Sequence, residues 1–266
     1  MDLRFPKPVQ LCCFDFDGTL VDRDHEPGFD PSLGQHLREF QAQGGRWAVN
    51  TGRSLAHTLD GLLSYRVTPM PDFIIAREHE IYARNPVGRW ADLGEWNARC
   101  RKVHGRFFRQ HRHFLADVRA FIEKTALGAW MDAPSDPAGI ITHAEEGMQQ
   151  VIDFVEERRL RWPEVGYQRN TIYLRFTHRD FHKGSALAEL ARQLGLPASA
   201  LFAAGDNYND LSMLRRSVAH HLACPANALE AVQAQVTAEG GFLMNAPASR
   251  GMAQAIGALF GNADVL

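Results

Sequence analysis

No stretch of this sequence approaches the roughly 20 apolar residues that a membrane-spanning helix needs. The N-terminal segment MDLRFPKPVQLCC also lacks the long apolar run and small-residue cleavage site of a signal peptide, so none is expected. Cysteine is scarce: Cys12, Cys13, Cys100 and Cys224 form no CxxC pair and no regular spacing, which argues against a structural zinc site and a disulfide framework. Cys12 and Cys13 lie in an apolar run and read as small core residues. An excess of one charge is missing too. Lys and Arg number 29 against 31 Asp and Glu, a formal net charge of −2, so nothing drives the whole chain toward nucleic acid or an anionic membrane. Internal repeats and low-complexity segments are absent. These absences lead to the expectation of a cytoplasmic protein in a reducing compartment, with no signal for its oligomeric state.

What is present is ordinary in bulk and specific in detail. The 266 residues are 45% hydrophobic and 23% charged, as in soluble globular proteins, and the length suits two domains. Val9 to Phe14 reads as a buried strand that stops at Asp15. Pro31 to Gln43 has helical spacing and ends at Gly44-Gly45. Arg46 to Asn50 is a second strand, Ser54 caps a helix reaching about Leu63, and Asp72 to Ala76 is a third strand. Alternation of this kind predicts a parallel, doubly wound α/β sheet. The middle changes character. Ile81–Ala83 and Val87–Trp90 flank the turn Asn85-Pro86, Glu95 to Lys124 is largely helical, and Ala129–Asp132 and Gly139–Thr142 read as strands. Gly147 to Leu160 is helical, and Val165–Gln168 and Thr171–Phe176 flank Arg169-Asn170 as a hairpin. After about Asp180 the first pattern returns: a helix from Lys183, a strand from Leu201, a helix Asn207–Arg215, a strand Val218–Ala223, and helices Ala226–Gln235 and Ser249–Leu259. The expectation is a core of residues 1–79 and 180–266, split by an α+β insert over 80–179, with hinges near 77–80 and 178–180.

Four polar clusters fall at expected strand ends of the outer segments: Asp15-Phe16-Asp17-Gly18-Thr19, Thr51-Gly52, Lys183-Gly184, and Gly205 to Asp210. Ligands of open α/β sheets bind at the carboxyl ends of the strands. Mg²⁺ prefers oxygen ligands and is held by one or two carboxylates plus substrate phosphate; Asp15 and Asp206 supply that pair. A carboxylate is a competent nucleophile toward phosphorus. Phosphoryl transfer needs in-line positioning and neutralised oxygens, which Mg²⁺, Lys183 and the Thr51 hydroxyl provide. Asp17 then protonates the leaving oxygen and deprotonates the attacking water.

These four segments resemble the motifs of the haloacid dehalogenase superfamily. Cys13 to Leu20 is similar to its first motif and Asn50-Thr51-Gly52-Arg53 to its second. Lys183 fits the third and Gly205-Asp206-Asn207-Tyr208-Asn209-Asp210 the fourth, in family order. The resemblance implies a Rossmann-like core and a catalytic set of Asp15, Asp17, Thr51 and Lys183. It implies metal contacts from Asp15, the Asp17 carbonyl and Asp206. It gives Asn209 and Asp210 the task of orienting the metal shell, the lysine or the phosphoryl group. The insert resembles the C2B cap of Cof-type and sucrose-phosphatase-like members, which implies a Mg²⁺-dependent phosphatase for small phosphate esters, sugar phosphates above all, with a cap that closes over the site. Glu78-His79 departs from the Asn-Gly that many relatives carry, and His182 from a small polar residue.

Gly52, Arg53, Arg175 and His178 are the candidate substrate contacts. Arg53 either binds substrate phosphate or pairs with a surface acid. Trp130, Tyr173, Arg175 and His178 read as cap structure or as residues that face substrate. Arg99, Arg101, Lys102, Arg106, Arg109 and Arg112 read as a solvated helix face, or as the nucleic-acid surface of a non-catalytic protein. A phosphomutase would share every catalytic residue and differ only in the acceptor.

Overall fold

Leu11–Phe14 (β1) is a strand of four successive buried residues, the pattern of a strand covered on both faces. The computed structural model describes residues 9–133 and 136–259. Helix α1 (Pro31–Ala42) starts at Asp30, whose carboxylate accepts from the Ser32 N–H, with Pro31 in the first turn. Strand β2 (Arg46–Asn50) follows. Helix α2 (Leu55–Ser64) is capped by Ser54, which accepts from the His57 N–H. Then come β3 (Phe73–Ala76), β4 (Glu80–Arg84) and β5 (Trp90–Asp92).

The next segment holds α3 (Glu95–Gln110), α4 (Arg112–Thr125), β6 (Gly128–Ala133), β7 (Asp136–Thr142), α5 (Glu145–Arg159), β8 (Val165–Asn170) and β9 (Tyr173–His178). Its four strands form an antiparallel sheet in the order β6-β7-β9-β8. Met148, Val151, Ile152 and Val155 recur at helical spacing on α5 and join Val118 and Ile122 of α4 in a core against Ile140, Leu174 and Phe176 of the sheet. Trp130 stacks on Phe176 and belongs to this packing. Arg99, Arg101, Lys102, Arg106 and Arg109 are exposed on α3 and Arg112 on α4.

The chain then returns through α6 (Lys183–Gln193), β10 (Leu201–Ala204), β11 (His221–Cys224), α7 (Glu230–Ala238), β12 (Phe242–Leu243) and α8 (Ala248–Leu259). The larger sheet has the order β12-β11-β10-β1-β2-β3-β4-β5. Strands β12 to β3 along this order are parallel, whereas β4 and β5 add antiparallel at one edge. Contacts gather the chain into two units, one up to Gly94 and again from Lys183, the other Glu95–His182. All four cysteines are buried thiols.

Several expectations are corrected. The hairpin around Asn85-Pro86 does not belong to the insert: Ile75 pairs with Ile81 and Ala76 with Glu80, so the first boundary falls at Gly94 instead of residue 79 and the second at His182 instead of 179. The expected hinge at 77–80 is a tight link within one sheet, formed by left-handed Arg77 (φ 48°) and Glu78 (φ 67°). The expected helix 207–215 shrinks to a single 3₁₀ turn, Tyr208–Asp210. The helix expected over 226–235 starts later, at Glu230. The β8–β9 turn falls at Thr171-Ile172 instead of Arg169-Asn170, with Thr171 at φ 48°.

Candidate active site

Strands β10, β1 and β2 are parallel neighbours, so their carboxyl ends meet at one edge of the sheet. Asp15 follows β1, Asp206 follows β10 by two residues and Thr51 follows β2. Lys183 opens α6, and its carbonyl accepts from Asn50 Nδ2 at 3.0 Å, tying the helix start to the end of β2.

The Lys183 side chain is fully buried. Its Nζ donates to Asp15 Oδ1 at 2.5 Å and to Asp210 Oδ1 at 2.6 Å. Asp210 uses its other oxygen to accept from the Asp206 and Asn207 N–H groups, both at 2.9 Å. That pair of bonds bends the chain after β10 into the 3₁₀ turn. Thr19 Oγ1 donates to Asp206 Oδ1 at 2.7 Å. Gly18 lies at φ +82°, and a Cβ there would stand 2.7 Å from Asp206 Oδ2, so glycine is required twice over. Carboxylate oxygens of Asp15, Asp206 and Asp210 all lie within 4.8 Å of one another.

Burial works against the Lys183 charge, but Asp15, Asp210 and Glu78 outweigh it and hold the ammonium above its ordinary range. Asp15 moves the other way from a free carboxyl. Burial raises it well above the usual range, aided by Asp210 and Asp206 and opposed by Lys183. Asp206 is pushed up to about 7 by burial and by Asp210. Asp15 and Asp206 carry carboxylate oxygens within 4.8 Å of each other, so full charge on both calls for a cation or a shared proton between them. All-oxygen donors of this kind suit Mg²⁺. Asp210 differs, because both of its oxygens already accept hydrogen bonds; it positions Lys183 and the turn.

Thr51 is buried, and its Oγ1 accepts from the Arg53 N–H at 3.2 Å, across Gly52. The Asp17 carboxylate lies outside the acidic cluster and between two guanidinium groups. Arg53 donates through Nε at 2.7 Å and Nη2 at 2.6 Å, and Arg23 through Nε at 2.9 Å. The partner of Arg53 is thus a motif residue. Asn209 Nδ2 donates to Glu78 Oε1 at 2.7 Å. Arg175 and His178 belong to the second unit. There the Arg175 guanidinium stands 5.8 Å from the Tyr173 ring centre, and the His178 ring packs on Phe107 and Phe181.

Sequence reasoning missed Arg23 and Glu78 as site residues. Arg23 carries no signal, being one charged residue in a polar loop. Glu78 had one: it departs from a common family residue at the end of β3, on the same sheet edge as Thr51.

The sequence pattern of the haloacid dehalogenase-like hydrolase family matches residues 132–246, a span that holds Lys183 and the Gly205–Asp210 segment. No curated protein sequence matches significantly. Among solved structures, a sucrose-phosphatase from Synechocystis, in complex with sucrose and phosphate, superposes with a TM-score of 0.70 at 17% identity, covering 96% of this chain and 99% of that one. A haloacid dehalogenase-like hydrolase from Bacillus subtilis gives 0.65 at 16%, covering 96% and 93%. A subclass IIB sugar phosphatase of the same superfamily gives 0.65 at 18%, covering 95% and 99%. At these identities the likeness is one of fold. The family pattern is matched over residues 132–246, and the chain as a whole is similar in fold to these phosphatase and hydrolase structures.

Proposed function

We propose that the chain is a Mg²⁺-dependent phosphomonoesterase that acts on a small phosphorylated metabolite, a sugar phosphate being the favoured class, through a phosphoryl group carried on Asp15. The observation that supports this most directly is the Asp15 carboxylate at the carboxyl end of β1, bonded to Lys183 and with an oxygen within 4.8 Å of one of Asp206. Two of the superposing structures are described as a sucrose-phosphatase and a sugar phosphatase, which favours the substrate class.

Asp15 and Asp206 would hold Mg²⁺, with the Asp17 carbonyl as the third protein contact. The ion's chemistry there is to neutralise phosphoryl oxygens and to keep Asp15 anionic. The Asp15 carboxylate attacks phosphorus, the bond from phosphorus to the ester oxygen breaks, and Asp17 gives that oxygen its proton. Asp17 then takes a proton from water, whose oxygen attacks phosphorus, and inorganic phosphate leaves with Asp15 restored. Lys183 fixes the Asp15 carboxylate and, with the Thr51 hydroxyl, faces the charge on the phosphoryl oxygens. Asp210 anchors Lys183.

The test is phosphate release from a panel of phosphorylated metabolites with and without Mg²⁺, repeated on Asp15→Asn. The variant is expected to lose roughly a thousandfold or more in turnover while its circular dichroism stays as in the parent. Release at the parental rate would refute the mechanism. An isomeric sugar phosphate in place of free phosphate would identify a mutase.

A further inference from the structure

Arg23 and Arg53 both point at one carboxylate. Arg53 grips Asp17 bidentately, through Nε to Oδ2 at 2.7 Å and Nη2 to Oδ1 at 2.6 Å. Arg23 reaches Oδ1 as well, through Nη2 at 2.7 Å. Within this trio, two guanidinium charges against one carboxylate leave a surplus of one positive charge, with Asp15 the next acid whose charge Arg23 feels. The neighbouring acid, Asp22, does not cancel it, because its carboxylate accepts from the Asp24 N–H and pairs with His25 at 2.9 Å. The two arginines are held differently. Arg53 lies over the Phe16 ring, 4.6 Å from its centre, and donates to the His57 carbonyl, so it is fixed in place. The Arg23 side chain is 59% exposed, and an ion pair that open to water is weak and readily exchanged. Asp17 cannot serve the leaving oxygen while both of its oxygens are gripped by guanidinium groups.

We infer that Arg23 and Arg53 form a subsite for a second anion on the substrate, which takes over from Asp17 as their partner. This rests on the phosphomonoesterase reading above and narrows its substrate. A general acid works within about 2.6–3.2 Å of the oxygen it protonates. The guanidinium nitrogens stand 2.6–2.9 Å beyond the Asp17 oxygens. The guanidinium nitrogens therefore stand within roughly 6 Å of the ester oxygen, given that working distance, so the second anion belongs to the same small molecule and lies near its phosphate. The class is a phosphorylated hydroxy acid or a closely spaced bisphosphate. Arginine suits either, because its fork matches carboxylate and phosphate alike.

The experiment uses two compounds with one skeleton, 2-phosphoglycerate and glycerol 2-phosphate, which differ by a carboxylate in place of a hydroxymethyl group. Each is tested on the full chain with Mg²⁺ as a competitive inhibitor of p-nitrophenyl phosphate hydrolysis. The acid is expected to bind about tenfold more tightly, the factor of one charge-assisted hydrogen bond. Arg23→Gln is expected to remove most of that preference and Arg23→Lys to keep part of it. Equal inhibition constants for the two compounds in the parent would overturn the inference, as would an Arg23→Gln variant that weakens both by the same factor. Absence of p-nitrophenyl phosphate hydrolysis, with no phosphate released from any monoester in the panel, would instead remove the phosphomonoesterase reading, and the subsite with it.

Discussion

Replacing Lys183 by methionine is the sharpest probe of the buried charge arrangement. Methionine keeps much of the side-chain volume and none of the charge. Lys183 is wholly buried, and its ammonium is shared between Asp15 at 2.5 Å and Asp210 at 2.6 Å. Its removal strands two buried carboxylates beside Asp206 and Glu78. Breaking a buried ion pair from one side costs about 3–5 kcal/mol, against a total stability of about 5–15 kcal/mol. For a chain of this size each kcal/mol moves the melting midpoint by roughly 2–4 °C, so K183M is expected to melt about 10 °C lower at pH 7.5 in EDTA. A double-mutant cycle separates stranded charge from lost packing. In the parent, D210N removes a partner of Lys183 and is expected to destabilise. In the K183M background it removes a stranded charge, while its amide oxygen still accepts from the Asp206 and Asn207 N–H groups. There it is expected to restore about 1 kcal/mol or more. Thermal melts of the four proteins by circular dichroism are the assay. If K183M melts with the parent, or D210N costs the same in both backgrounds, the charge argument fails.

Two further outcomes follow from the geometry. Gly18→Ala places a Cβ against Asp206 Oδ2 at a left-handed position; under the proposed Mg²⁺ site it is expected to raise the Mg²⁺ concentration for half-maximal activity by about tenfold or more, the range for disturbing the residues that orient a metal ligand, and an unchanged Mg²⁺ dependence would refute this. Burial pushes the His104 imidazole down to about 4, where its Nε2 lies 2.7 Å from Thr177 Oγ1. The unfolded chain takes up a proton on His104 below about pH 6.5 that the folded chain refuses. The contribution is therefore complete above pH 6.5 and drains away toward pH 4, on the order of 3 kcal/mol in all. Urea unfolding at pH 7.5 and pH 5 is expected to show a smaller fall in stability for H104Q than for the parent, and equal falls would refute the assignment.

Sequence and structure agree where short-range chemistry decides. The run Leu11–Phe14 ends at Asp15 because a buried strand cannot continue through a charged group, and that is visible in the letters. The same holds for Ser54 capping α2 and for Lys183 opening α6. The failures have long-range causes. Residues 207–215 carry helical spacing, but the Asp210 carboxylate takes the Asp206 and Asn207 N–H groups and stops the helix after one turn. The hairpin around Asn85-Pro86 is legible as a hairpin, but the sheet it joins is not. Its attachment to β3 runs through Arg77 and Glu78, two left-handed residues that are not glycine and so give no turn signal. Glu78 occupies that conformation at a backbone cost of about 1–3 kcal/mol, and its carboxylate holds Asn209. Arg23 was invisible because its role depends on where Asp17 turns.

The place of β1 between β10 and β2 has a consequence for how the molecule is made. Thr19 and Asp206, which bond directly, are 187 residues apart in the chain, and the first strand waits on the ribosome for the tenth. Until β10 emerges, one edge of β1 offers unpaired N–H and C=O groups, a template for pairing with the wrong strand. Glu95–His182 is contiguous and carries its own core, so it can collapse during that interval and shorten the stretch of loose chain to be closed. Synthesis that pauses between β9 and β10 is the moment at which a nascent chain of this design is most exposed to aggregation.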